Sequence, residues 1–188
     1  FVVANMDHES NECKVDIKET DISFEKIYGQ PWFPVSLADE IKKANCLIIP
    51  ETGSKYGDEV LFPETTSEFF DYLKGNQKDG MVVDIAIDDD NYNKLELHSA
   101  VIELATIIIT SVVVPVALNL ISSFLYDLVK KYHRKPETTN ANVKIIVETK
   151  KTKNNTKRNV TITYKGPVSG IENSLNEAIK KIEEKNDD

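Results

Sequence analysis

An uncharged, strongly apolar run occupies residues 104–126, LATIIITSVVVPVALNLISSFLY, and the basic stretch KKYHRK follows at 130–135. A bilayer span needs roughly 20 such residues, and a basic flank suits its cytoplasmic end. A soluble chain must instead cover such a run on nearly every side, so the run becomes the centre of the core. Polar side chains within and around it bear on the choice. Glu96, Ser99, Glu103, Thr106 and Thr110 recur at steps of three and four and would share one face of a helix. Ser111, Asn119, Ser122, Ser123 and Asp127 fall on another side, and the change comes near Pro115. Proline removes a backbone hydrogen bond and bends a helix. The simplest expectation is therefore one Pro-kinked helix, or two helical segments. The alternative is that TIIITSVVV, rich in β-branched residues, forms a buried strand and Pro115 opens the helix after it. The run is single and lies between segments that need an apolar partner. The reading adopted is a buried core helix in a cytoplasmic protein; the alternative is an inner-membrane anchor spanning 104–126.

The net charge of −8 hides an asymmetry. From Lys130 to Lys165 basic residues face only Glu137 and Glu148, while the remainder of the chain is strongly acidic. Such a layout marks a binding face or a solvated hairpin beside an acidic neighbour. Cys13 and Cys46 are the two cysteines and form no closely spaced framework, which fits a reducing compartment. FVVAN at the start is too short and too uncharged for a secretory signal, so the sequons NNT (154–156) and NVT (159–161) carry no weight.

Along the chain, Cys13–Ile17 and Ile22–Tyr28 read as short strands before the turn-rich GQPWFP, where prolines around Trp32 and Phe33 predict an ordered aromatic loop. Ser36 is placed to cap a short helix bearing Leu37, Ile41 and Ala44 on one face, and CLIIP (46–50) reads as a buried strand. VLF (60–62) is a brief strand. Thr65 and Glu68 have capping-box spacing before a helix over 67–73 that Gly75 ends. MVVDIAI (81–87) is a strand with DDDNYN as its polar exit. NVKIIVE (142–148) and NVTITY (159–164) form an antiparallel hairpin that Gly166-Pro167 breaks, and 170–185 is an amphipathic helix. The expected fold is α+β: a small mixed or antiparallel sheet packed on a long apolar central helix, closed by the C-terminal hairpin and helix. The division would fall into 1–90 and 91–188, or the two parts fold together as one domain.

The chemistry-bearing residue types form no convincing catalytic set. Asp84, Asp88, Asp89 and Asp90 supply oxygens of the kind that bind Mg²⁺ or Ca²⁺, but Tyr92 and Asn93 occupy a ligand and the turn-glycine position of an EF-hand loop, so a solvated turn is expected. GSKYG (53–57) lacks the spacing of a phosphate loop. His8, His98 and His133 are far apart, and neither cysteine has a sequence-local partner. No cofactor, metal or catalytic residue is assigned. The lysine-rich KKTKNNTKRN could meet phosphates, but no aromatic interleaves with it to stack bases. The partner-binding residues are taken to be Lys150, Lys151, Lys153, Lys157 and Arg158 on the hairpin, and Trp32 and Phe33 on the aromatic loop.

An apolar helix ending in a basic turn, the hairpin VKIIVE…VTITY, a Gly-Pro break and the helix IENSLNEAIKKI together resemble the effector-associated components, small bacterial accessory proteins of conflict and anti-phage systems. The resemblance covers about 96–185 and rests on layout. It implies a non-catalytic accessory protein whose partner is another protein, with homo-oligomerisation open to it. The alternatives are the membrane-anchored protein and, after it, an enzyme of unrecognised type or a nucleic-acid binder.

Overall fold

The computed structural model describes residues 12–53, 57–78, 80–96, 99–150 and 157–186. Its strands are β1 (Lys14–Thr20), β2 (Cys46–Ile49), β3 (Phe62–Pro63), β4 (Val83–Ile85), β5 (Lys94–Leu95), β6 (Ile102–Glu103), β7 (Thr106–Thr110), β8 (Asn140–Lys150) and β9 (Lys157–Pro167). Its helices are α1 (Phe24–Tyr28), α2 (Ala38–Ile41), α3 (Thr66–Gly75), α4 (Val114–Lys131) and α5 (Ile171–Asn186). The fold is α+β, built on a mixed sheet in the order β1-β9-β8-β7-β2-β4, with β6 beside β8. β3 and β5 form a separate parallel pair. Strands from the first half of the chain flank those from the second in the main sheet: β1 is antiparallel to β9, and β2 is antiparallel to β7.

The apolar run divides as its β-branched content allows. Residues 106–110 are strand β7, antiparallel to β2 and parallel to β8. Ile107, Ile108 and Ile109 are all buried because this strand is covered on both faces. A 3₁₀ turn over Ser111–Val113 follows, and Pro115 sits in the first turn of α4, where its missing N–H would have had no intrahelical partner. The expectation of helix across 104–110 is thus corrected, and the alternative of a buried strand followed by a helix opened at Pro115 is the one adopted by the chain. Stiff Ile side chains suit a two-sided strand better than a helix, and the helical stripe from Glu96 to Thr110 is instead spread over β6, β7 and loop.

Strand alternation sorts the core into two clusters. Cys46, Ile48, Ile107, Ile109, Ile145 and Val147 point to the face covered by α3, α4 and α5. Leu47, Ile49, Ile108 and Ile146 point to the other, covered by Phe24, Ile27, Phe33 and Ile41. The short α1, α2 and the aromatic loop cover this second face. Each isoleucine buried this way contributes roughly 1.5–3 kcal/mol.

Several local readings change, and Ser36 caps neither the 3₁₀ turn over Val35–Leu37 nor α2. Ile22–Tyr28 is helical: Ser23 is an N-cap whose side chain accepts from Lys26 N–H at 3.1 Å, and Phe24 and Ile27 are buried one turn apart. Thr65 does not cap α3 with its side chain; its hydroxyl donates to the Glu103 carbonyl at 2.7 Å. β9 runs through Gly166 to Pro167 rather than breaking before them, because a side chain at Gly166 would meet Cys13 Cα at 2.9 Å and glycine alone lets the backbones close.

α4 buries Leu118, Ile121, Phe124, Leu125 and Leu128, while Asn119, Tyr126, Asp127 and Lys130 face outward. It ends in a Schellman arrangement: His133 N–H donates to Lys130 O and Arg134 N–H to Val129 O, with His133 at φ 53°.

Candidate functional site

β2 and β4 are parallel neighbours, so their carboxyl ends deliver two loops to the same edge of the sheet. In sheets of this kind ligands settle beyond the carboxyl ends of parallel strands. A cleft of about 750 Å³ opens there. The chain leaving β2 places Glu51 against Leu61, with hydrogen bonds of 2.7 and 3.2 Å between their backbones. The chain leaving β4 turns at Asp88, whose carboxylate accepts from Asn91 N–H at 2.8 Å and from Asn91 Nδ2 at 2.7 Å. The third wall is the aromatic loop.

That loop is held firmly. Phe33 is buried, with its ring 5.4 Å from that of Tyr28, and Phe33 N–H donates to Gln30 O at 3.0 Å. Burial, with the carboxylates of Glu148 and Glu25 adding to it, pushes the Tyr28 phenol above its usual value. Trp32, the single tryptophan, is half-buried and lines both this cleft and a smaller depression of about 350 Å³ that also touches Lys26, Pro50 and Lys144. It forms a ridge between the two. Within the main cleft, Phe33, Leu61 and Ile87 are buried, whereas Val35 (83% exposed), Asp58, Glu59 and Lys94 lie open. An exposed valine beside an aromatic ridge, rimmed by carboxylates, can take an apolar side chain and a neighbouring cation.

The structure joins the aromatic loop to the Asp88 turn, two features far apart in sequence. It does not join the loop to the basic hairpin. In register, Ile49 pairs with Thr106 while Cys46 pairs with Ile109, and β7 runs alongside β8 toward Lys150. The cleft and the hairpin tip therefore lie at opposite ends of the sheet. At that tip Lys150 pairs with Lys157 across the hairpin, and Arg158 Nε lies 2.8 Å from Glu19 Oε1 of β1. Lys151 and Lys153 lie outside the described residues. Asp84 Oδ1 accepts its neighbour's N–H, from Ile85 at 2.8 Å, and Asp89 and Asp90 are exposed in a 3₁₀ turn. Among the described residues no three His, Cys, Asp or Glu side chains converge on one point.

Val35, Asp58, Glu59 and Lys94 carry no sequence signal of their own. They lie in a 3₁₀ turn, a loop and a two-residue strand without periodicity, and only the pairing of β2 with β4 gathers them. No protein-family model, no curated protein and no solved structure matches this chain.

Proposed function

We propose that the chain is a non-catalytic binding protein that takes a segment of another protein into the cleft beside Trp32. The observation that carries this reading is the rigid aromatic loop, which holds Trp32 and the exposed Val35 against a rim of Asp58 and Glu59. The complementary ligand is a peptide presenting one large apolar side chain next to lysine or arginine. In keeping with the layout shared with effector-associated components, we propose a bacterial accessory role in a conflict system. The same reading places α4 in a cytoplasmic core. Its support is the burial of 61% of the apolar window within Ser111–Lys131, a helix that by length and composition alone would also suffice to cross a membrane.

Trp32 supplies its own readout. An array of short peptides combining Leu, Phe or Trp with basic residues is titrated against the protein and tryptophan emission is followed. A saturable shift is expected for a subset of peptides. Val35→Glu is expected to weaken the binding more than tenfold, and each tenfold is worth about 1.4 kcal/mol. Flat titrations across the array, or peptides cleaved or modified during incubation, would overturn the reading.

A further inference from the structure

The sheet has two edges, β1 and β4, and they are finished differently. In β4 the residues facing β2 are fixed by Cys46 N–H donating to Val82 O at 3.1 Å and Ala86 N–H donating to Ile48 O at 2.9 Å. The outward donors are Val83 and Ile85, and both are taken: by Gln77 Oε1 at 3.1 Å and by Asp84 Oδ1 at 2.8 Å. Side chains thus close this edge. β1 is longer and pairs with β9 residue by residue from Lys14 to Thr20 without a bulge. Among the described residues no strand neighbours its outer side, and Lys14, Val15, Asp16, Lys18 and Glu19 are exposed. An unblunted edge of this length is a template for another strand.

We propose that two copies of this chain pair β1 to β1, antiparallel about a twofold axis at Ile17, into one continuous sheet. The segment KVDIKET is self-complementary in that register. Asp16 of each copy stands opposite Lys18 of the other, Lys14 opposite Thr20, Val15 opposite Glu19, and Ile17 opposite itself. An axis normal to the sheet keeps Val15, Ile17 and Glu19 of both copies on the α5 side, so the register can shift only by steps of two. A shift in one direction sets Asp16 against Asp16, and in the other Lys18 against Lys18; like charges directly opposed destabilise a ladder. The two Asp16–Lys18 ion pairs, one within each copy at 3.3 Å and well exposed, are exchanged for two such pairs between the copies. A groove of about 410 Å³ beside the edge is lined by the half-buried Ile17 with the buried Val160 and Ile182, and the second copy closes over Ile17. The occupant is a second copy rather than an unrelated strand because the charge pattern matches itself.

The test uses the full chain in sedimentation velocity and light scattering over a wide concentration range. The mass is expected to move from 21.2 kDa toward twice that value as concentration rises. Asp16→Lys and Lys18→Asp each place like charges across the axis, and each is expected to weaken self-association at least tenfold. Both side chains are exposed, so circular dichroism should not change. An equimolar mixture of the two variants has opposite charges at every affected position and is expected to associate again, as a mixed dimer. Monomer at all concentrations overturns the proposal. So does a dimer indifferent to both substitutions, or a mixture that fails to reassociate.

Discussion

Cys46 stands between Val83 and Ile109 in the middle of the sheet with no accessible surface, and burial pushes its thiol from 9.0 up to about 12. An acid whose value is raised by folding stabilises the fold fully below its unfolded value and loses that contribution as pH climbs toward the folded one. Stability to urea is therefore expected to fall between about pH 9 and 12, and to fall less in Cys46→Val. Burial also raises the Tyr164 phenol, so some alkaline dependence remains in the variant. Cys13 is exposed, and a thiol reagent should label one cysteine in the native protein and two in denaturant. At His133, a non-glycine residue holds the left-handed position of a Schellman turn. His133→Gly is expected to stabilise the fold by about 1 kcal/mol, measured by denaturant titration. Gly170 has no room for a side chain: a methyl there would collide with Cys13 Sγ and lie 3.1 Å from the Tyr164 hydroxyl. Gly170→Ala should cost about 1–3 kcal/mol, and Cys13→Ala in the same chain should recover part of it.

At the scale of elements, the five-residue α1 is too short to persist on its own. It is held by two residues of the long hairpin: Glu148 Oε2 accepts from Phe24 N–H at 3.1 Å, and Asn159 Nδ2 donates to Ile22 O at 2.7 Å. Glu148→Ala is expected to raise amide exchange over 22–28 well before global unfolding, with about 1–3 kcal/mol lost overall. If exchange there is unchanged, the hairpin does not hold the helix. On the opposite face Phe124 of α4 lies 5.1 Å from Phe69 and 5.3 Å from Tyr72, ring to ring. Phe124→Ala should cost about 3–5 kcal/mol in a urea titration. The helices α3 and α5, the strands β2 and β4 and the β8–β9 hairpin were legible in sequence because each has a clean apolar run or period bounded by turn residues. α1 was not, because Ile22, Phe24 and Ile27 fit a short strand as well as one helical turn until Ser23 is recognised as its cap.

Across the whole molecule, β1 closes on β9 and β2 on β7, so the sheet is sewn from the two ends of the chain. Fragments 1–90 and 91–188 are expected to be unfolded when expressed apart and to regain sheet signal in circular dichroism when mixed; independent folding of either would show that the pairings between them are dispensable. The intact chain is expected to fractionate as soluble without detergent, and recovery from the membrane fraction alone would reverse the placement of α4.

The local identities in this sequence determined most of the elements, the apolar character of 104–126 and the ordering of the aromatic loop, because turn chemistry and side-chain period act over a few residues. Where the apolar run splits into strand and helix was not decidable locally: Ile107–Ile109 fit a helix or a strand, and the neighbours on either side, Leu47 and Ile146 for Ile108, settle it as a strand. The cleft was likewise invisible, since Trp32, Asp58, Leu61 and Asp88 share no spacing and meet only because β2 and β4 run parallel. Tertiary structure decided these things because strand pairing brings together residues whose separation along the chain carries no periodic signal.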